Sequence, residues 1–177
     1  GDGTFALTQA FTHPSIPTEK WTAFELKIGD FNGDKKIDLI WNLRDIYNKT
    51  YLALSNGDGS FSFGEELAFP NTGWSAYVFH VGDFNGDTYD DVAWNELSNG
   101  ANKMYVAFSN GTTIDIATAS YELISPSGWS SYQARVADTN GDDRCDFVWE
   151  RHLNDNGINI GVSNGDGTFT RTGYEIG

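Results

Sequence analysis

Three nonapeptides in this chain, DFNGDKKID at 30–38, DFNGDTYDD at 83–91 and DTNGDDRCD at 138–146, carry an oxygen-bearing side chain at their first, third, fifth and ninth positions. The first offers Asp30, Asn32, Asp34 and Asp38, with the Lys36 carbonyl between the last two. The second offers Asp83, Asn85, Asp87 and Asp91 with the Tyr89 carbonyl. The third offers Asp138, Asn140, Asp142 and Asp146 with the Arg144 carbonyl. Calcium takes about six to eight oxygen ligands at about 2.3–2.6 Å, from carboxylates, amide oxygens and backbone carbonyls. A donor set without sulfur or imidazole suits a hard cation rather than zinc or copper. Gly33, Gly86 and Gly141 permit the tight turn that wraps it. The expectation is up to three Ca2+ ions. A capped Asx-turn without metal is the alternative for any single copy, and the threefold identity of the donor positions argues against it. An EF-hand fails, because position twelve holds Trp41, Trp94 and Trp149 instead of a bidentate Glu.

The elements that position these loops follow from the same repetition. Upstream stand KWTAFELKIGD, GWSAYVFHVGD and GWSSYQARVAD; downstream stand IDLIWN, DDVAWN and CDFVWE, then YLALSNGDGSF, YVAFSNGTTI and NIGVSNGDGTF. All six Trp residues fall into two columns, Trp21, Trp74, Trp129 and Trp41, Trp94, Trp149, and Ser55, Ser109 and Ser163 form another. The period is about 54 residues, which makes this a repeat array. Phe24, Leu26 and Ile28 alternate on one face, as do Tyr77, Phe79, Val81 and Tyr132, Ala134, Val136. That is strand periodicity. Asn56-Gly57, Asn110-Gly111 and Asn164-Gly165 are turn signals. The predicted fold is all-β: β-propeller blades in three four-stranded antiparallel repeats, plus a surplus terminal strand. The predicted segments are an outer strand and linker at 1–20, then repeats at 21–73, 74–128 and 129–177, in one array spanning 1–177.

Composition excludes several classes. The net charge of −14 over 177 residues argues against nucleic acid, whose phosphates call for Lys and Arg. No run approaches the roughly 18 apolar residues of a membrane helix, so no membrane insertion is expected. The chain opens on Gly1 rather than Met, so a targeting signal is not to be read from it. Cys145 is alone and stands in the column of Ile37 and Asp90, a filler rather than a nucleophile. Asn48 and Asn110 head Asn-X-Thr glycosylation patterns.

VGDFNGDTYDDVAWN followed by YVAFSNGTTI, with LSNGDGSF in the first copy, resembles the FG-GAP or VCBS-type repeat. That family includes the propeller of integrin α chains and many secreted bacterial and fungal proteins. The resemblance implies a propeller with calcium held in a blade loop, at the positions named above. The family often has Gly at the sixth loop position, where this chain has Lys35, Thr88 and Asp143. A positive φ there would strain the loop and weaken affinity. The third copy also has Thr139 for Phe31 and Phe84, and Ala137 for Gly29 and Gly82, which marks it as the weakest site. A dissociation constant near 10⁻⁴ M in roughly millimolar calcium gives about 1.4 kcal/mol per site, about 4 kcal/mol for three. Calcium is therefore expected to be structural and the location extracellular.

No enzyme is expected. His13, His80 and His152 occupy different repeat positions, and His80 aligns with Lys27 and Arg135 as a charge-balancing column. A module for adhesion or recognition is the leading expectation. A lectin is the alternative, with Trp21, Trp74 and Trp129 stacking on sugar faces, unless these rings only wedge between sheets. A purely structural segment of a larger secreted protein or filament is the third. Three repeats fall short of the about four to eight blades of a closed propeller. Self-association, with two copies closing six blades, is expected, or else partner blades from a longer chain.

Overall fold

The structure, a computed structural model, describes residues 24–43, 49–68, 77–96, 102–116, 120–125, 132–151 and 157–174. Twelve strands run in order: β1 (Phe24–Gly29), β2 (Asp38–Leu43), β3 (Lys49–Ser55), β4 (Phe61–Ala68), β5 (Tyr77–Gly82), β6 (Asp91–Glu96), β7 (Asn102–Ala107), β8 (Ser120–Ser125), β9 (Tyr132–Ala137), β10 (Asp146–Arg151), β11 (Ile158–Ser163) and β12 (Phe169–Tyr174). They form three antiparallel meanders, β1-β2-β3-β4, β5-β6-β7-β8 and β9-β10-β11-β12, here sheets 1, 2 and 3. No helix among the described residues is long and apolar enough to cross a membrane.

The period of the sequence becomes a period of register. Leu26 pairs with Trp41, Phe79 with Trp94 and Ala134 with Trp149. Each nonapeptide is the loop joining the first two strands of its sheet. The third and fourth strands of sheet 1 join through Asn56–Ser60, closed by Asn56 N–H donating to the Ser60 carbonyl at 3.0 Å. That is a wider loop than a two-residue hairpin. Gly57 holds φ 83° in it.

The core lies between sheets. Phe31, Ile40 and Leu52 of sheet 1 pack on Phe79, Val92, Trp94, Ala107 and Ile114 of sheet 2. Phe84, Ala93, Met104 and Val106 of sheet 2 pack on Phe147, Trp149 and Phe169 of sheet 3. There the Phe84 and Phe147 rings stack at 5.4 Å and 2°, and Phe147 stacks on Trp149 at 5.4 Å and 15°. Truncating one such aromatic to Ala costs about 3–5 kcal/mol. The columns thus meet in a fixed sense: the loop Phe and the Ile40/Ala93 face of one sheet press on the Trp face of the next.

The alternation in β1 is present, but its face is open. Leu26 is 50% and Ile28 58% exposed, whereas Phe79, in Leu26's column, is fully buried. Phe79 has sheet 1 beside it, and β1 has no described sheet on the corresponding side. The first strands β1, β5 and β9 stand side by side and border a cleft of about 430 Å³ lined by Leu26, Lys27, Ile28, His80, Val81 and Val136.

Candidate functional site

Each loop is built around its first Asp. Asp30 accepts from Asp34 N–H at 3.1 Å and Lys35 N–H at 2.7 Å. Asp83 accepts from Gly86 N–H at 2.6 Å and Thr88 N–H at 2.8 Å. Asp138 accepts from Gly141 N–H at 2.7 Å and Asp143 N–H at 3.1 Å. The sixth residue reaches its Asp only by turning left-handed: φ is 64° at Lys35, 75° at Thr88 and 65° at Asp143. Non-glycine residues in that region cost roughly 1–2 kcal/mol each, so the strain expected there is present in all three copies.

The third and fifth positions close the turn. Asn32, Asn85 and Asn140 accept from the fifth-residue N–H at 3.1, 2.9 and 3.0 Å. The first and third oxygens therefore converge on one backbone amide in every loop. The fifth carboxylate takes the N–H of residue seven at 2.9 Å from Lys36, 2.9 Å from Tyr89 and 3.0 Å from Arg144. In loops one and three a cation of the chain also sits on it: Lys36 Nζ on Asp34 and Arg144 Nη2 on Asp142, both at 2.5 Å. The Lys36 bond holds the Asp34 carboxyl below its ordinary value, and backbone amides, Gly141 N–H foremost, do the same for Asp138.

The ninth position is set apart from the other three. Asp38, Asp91 and Asp146 are fully buried. Asp38 accepts from Phe31 N–H at 2.9 Å and Ser55 N–H at 2.7 Å. Asp91 accepts from Phe84 N–H at 2.9 Å and Ser109 N–H at 2.8 Å. Asp146 accepts from Thr139 N–H at 3.0 Å and Ser163 N–H at 2.9 Å; the Thr139 hydroxyl donates to it as well. This carboxylate staples the loop to the start of the third-strand turn. Burial pushes Asp91 up to about 8, with Asp87 and Asp83 adding to the rise and the two amides opposing it. A carboxylate keeps lone pairs beyond two amide bonds, so the donor chemistry of all four positions fits a hard cation. Among the described residues, though, no three His, Cys, Asp or Glu side chains already converge as a cage.

The serine column carries a role that the sequence did not reveal. Ser109 Oγ donates to the Phe31 carbonyl and Ser163 Oγ to the Phe84 carbonyl, both at 2.6 Å and both between sheets. Two further bonds follow the same rule: Asp90 N–H to the Asp30 carbonyl at 2.8 Å, and Cys145 N–H to the Asp83 carbonyl at 2.6 Å. The seventh side chain crosses over too. A Cβ on Gly33 would lie 2.5 Å from the Tyr89 ring. The loops are thus joined to one another, and a signal existed in the near-constant spacing of 17, 18 and 17 residues between each ninth Asp and its serine.

Other candidates sort as follows. Trp21, Trp74 and Trp129 lie outside the described residues, as do His13, His152, Asn48 and segment 1–20. Trp41, Trp94 and Trp149 are buried in packed clusters, Trp94 and Trp149 between sheets. Asn110 heads an exposed turn and takes the Thr112 hydroxyl at 2.8 Å. His80 is buried with its ring edge-on to Phe147 at 5.1 Å, and burial, then the Lys27 charge, lowers its pKa to about 3. Arg135 pairs with Glu150 at 3.7 Å. Cys145 fills space against Gly82, and burial pushes its thiol up to about 11.

Residues 30–94 match the family model of the FG-GAP-like repeat. This stretch takes in two of the three loops and the strands between them. Among solved structures, a lectin from Agrocybe aegerita, described as specifically recognising non-reducing terminal N-acetylglucosamine, superposes with a TM-score of 0.62 at 24% identity. The match covers 86% of this chain and 38% of that one. The likeness establishes the all-β, propeller-like arrangement of sheets. No curated protein sequence matches the chain.

Proposed function

We propose that the chain is an extracellular calcium-binding repeat module for adhesion or recognition, in which calcium is structural. One observation carries this reading. All three loops hold one strained geometry, with positive φ at non-glycine residues and oxygen side chains converging at the first and third positions. Strain of this kind is retained where something over-determines it. Calcium would supply a charge that gathers oxygens which otherwise repel. Asp30, Asn32, Asp34 and the Lys36 carbonyl would hold it on the exposed side of the first loop, with Asp38 beneath. Asp83, Asn85, Asp87, the Tyr89 carbonyl and Asp91, and Asp138, Asn140, Asp142, the Arg144 carbonyl and Asp146, take the same places in the others. Lys36 and Arg144 would swing off Asp34 and Asp142 as the ion enters. Metal analysis after dialysis in millimolar calcium tests it: up to three ions per chain are expected, and none would end the reading. The proposal includes no catalysis.

A second reading, carbohydrate recognition, is favoured by the likeness to the N-acetylglucosamine-recognising lectin. Trp21, Trp74 and Trp129 are the residues proposed to stack on sugar rings. Binding of the calcium-loaded chain to a glycan array, lost in Trp74→Ala, would support it. A blank array with folded protein would remove it.

A further inference from the structure

We propose that the side chain at the seventh loop position sets how tightly each loop takes its ion: Lys36 and Arg144 are tethered cations occupying a carboxylate the ion needs, and Tyr89 is not. This inference rests on the calcium reading above and carries it further, to a ranking of the three sites. The donor sets do not rank them, because each loop offers the same oxygens at its first, third, fifth and ninth positions. The occupant of the fifth carboxylate does. Lys36 Nζ lies 2.5 Å from Asp34 Oδ2, and Arg144 Nη2 lies 2.5 Å from Asp142 Oδ2. In the second loop the corresponding oxygen, Asp87 Oδ2, takes the neutral Asn85 amide at 2.9 Å. A side-chain cation on a donor oxygen must leave before a metal ion can take that oxygen, and if it stays close it repels the newcomer. Turning a neutral amide aside carries no such penalty.

Glycines place the seventh side chain. A Cβ on Gly33, in the preceding loop, would meet the Tyr89 ring at 2.5 Å, and one on Gly111, in its own sheet, at 3.3 Å. The uncharged ring fills this gap, so the second loop receives no cation from its seventh residue. Arg144 runs through the equivalent gap: a Cβ on Gly86 would lie 3.1 Å from its Cγ, and one on Gly165 3.4 Å from its Cδ. Its Nε also donates to the Ser163 carbonyl at 3.3 Å. Nε and Nη2 belong to one planar fork, so Nη2 cannot turn off Asp142 while Nε stays on Ser163. Lys36 is held less. Its stem lies against Gly57, where a Cβ would be 2.7 Å from Cε, and its Nζ bond to Asp34 is exposed. The loops are therefore ranked second, first, third.

Calorimetric titration of the full chain at low salt, with calcium alone as the probe, tests the ranking. The unmodified chain should bind one ion at least about threefold more tightly than the other two. Lys36→Gln keeps the backbone carbonyl and an amide able to bond Asp34 but removes the charge. It should tighten one of the weaker sites by about three- to tenfold, and Arg144→Gln should do the same for the other. Tyr89→Lys should abolish the tight class without changing the number of ions bound. Circular dichroism establishes that each variant is folded. If Tyr89→Lys does not fold, Asp87→Asn in the otherwise unmodified chain must remove the tight ion and leave the weak ones. Equal sites that respond to neither Lys36→Gln nor Arg144→Gln would overturn the ranking and leave the calcium reading standing. Metal analysis finding no ion in any folded variant would end both.

Discussion

The hydroxyl of Ser109 lies 2.6 Å from the carbonyl of Phe31, a residue 78 positions earlier in the chain. The bond is buried, and it fastens the loop of one sheet to the third strand of the next. Ser109→Ala leaves the Phe31 carbonyl without its partner in a site that excludes water. The expected cost is about 1–3 kcal/mol, read as a lower urea midpoint at unchanged slope. Ser163→Ala should cost a similar amount, and two variants with unaltered midpoints would show that water replaces the hydroxyl.

The fifth and ninth loop positions separate under substitution. Asp34→Asn or Asp87→Asn is expected to remove one calcium each by metal analysis and to leave the chelated protein's melting curve nearly where it was. Asp38→Asn differs, because its new amide must point N–H at the N–H of Phe31 or Ser55. It should destabilise the protein by about 2–3 kcal/mol even in chelator. Equal effects of Asp34→Asn and Asp38→Asn in chelator would contradict the staple.

Chelation should lower the melting temperature by several degrees, and added calcium should restore it. The third loop, where a Cβ on Gly141 would meet nothing within 4 Å among the described residues, is expected to fill last. Superimposable melting curves in chelator and in millimolar calcium would sink the structural role of the ion.

Acid should act through His80. Its folded pKa of about 3 lies below the ordinary histidine value of 6.5, so below pH 6.5 the unfolded chain takes up a proton that the folded one refuses. The stability this group contributes is present above pH 6.5 and lost as pH falls toward 3, reaching about 2–3 kcal/mol by pH 4.5. Asp91 works the other way: with a folded pKa near 8 against 3.8, its contribution is present in acid and lost as pH rises toward 8. The decisive measurement is the difference between the unmodified chain and His80→Leu in chelator. The variant should lose the acid-side slope; identical pH profiles would show that His80 takes its proton while folded.

Gly82 and Cys145 should behave as a coupled pair. Gly82→Ala puts a Cβ 2.8 Å from the Cys145 sulfur and is expected to cost about 1–3 kcal/mol. Cys145→Ala removes that sulfur and should recover part of the loss, so a double-mutant cycle ought to return a non-zero coupling. Strict additivity would mean that the sheets slide apart to make room.

Much of the fold was legible because strand alternation and a 54-residue period are both written in side chains. Phe79, Val81 and Trp94 announced their strands, and the register followed. The strain at Lys35, Thr88 and Asp143 was legible as well, since these residues stand where glycine is usual. The ninth aspartate was read as a ligand alone, because its second amide partner, Ser55, lies 17 residues downstream. Ala137 and Thr139 were read as marks of a weaker loop. The structure leaves both exposed, with the Thr139 hydroxyl on Asp146, and a contact between repeats leaves no local pattern in either one. The burial of Phe79 against the exposure of Leu26 was illegible for the same reason: one column, two surroundings.

The bonds joining the sheets end on the backbone carbonyls of Asp30, Phe31, Asp83 and Phe84. A carbonyl is the same whatever side chain its residue bears, so most of each repeat is free to drift without unmaking the joint. A stretch of gene spanning one period, copied in tandem, would encode a segment already bearing an acceptor edge on one side and a donor edge on the other. Lengthening such a protein by duplication requires no new joint to be invented, only the retention of a glycine and a serine in each copy.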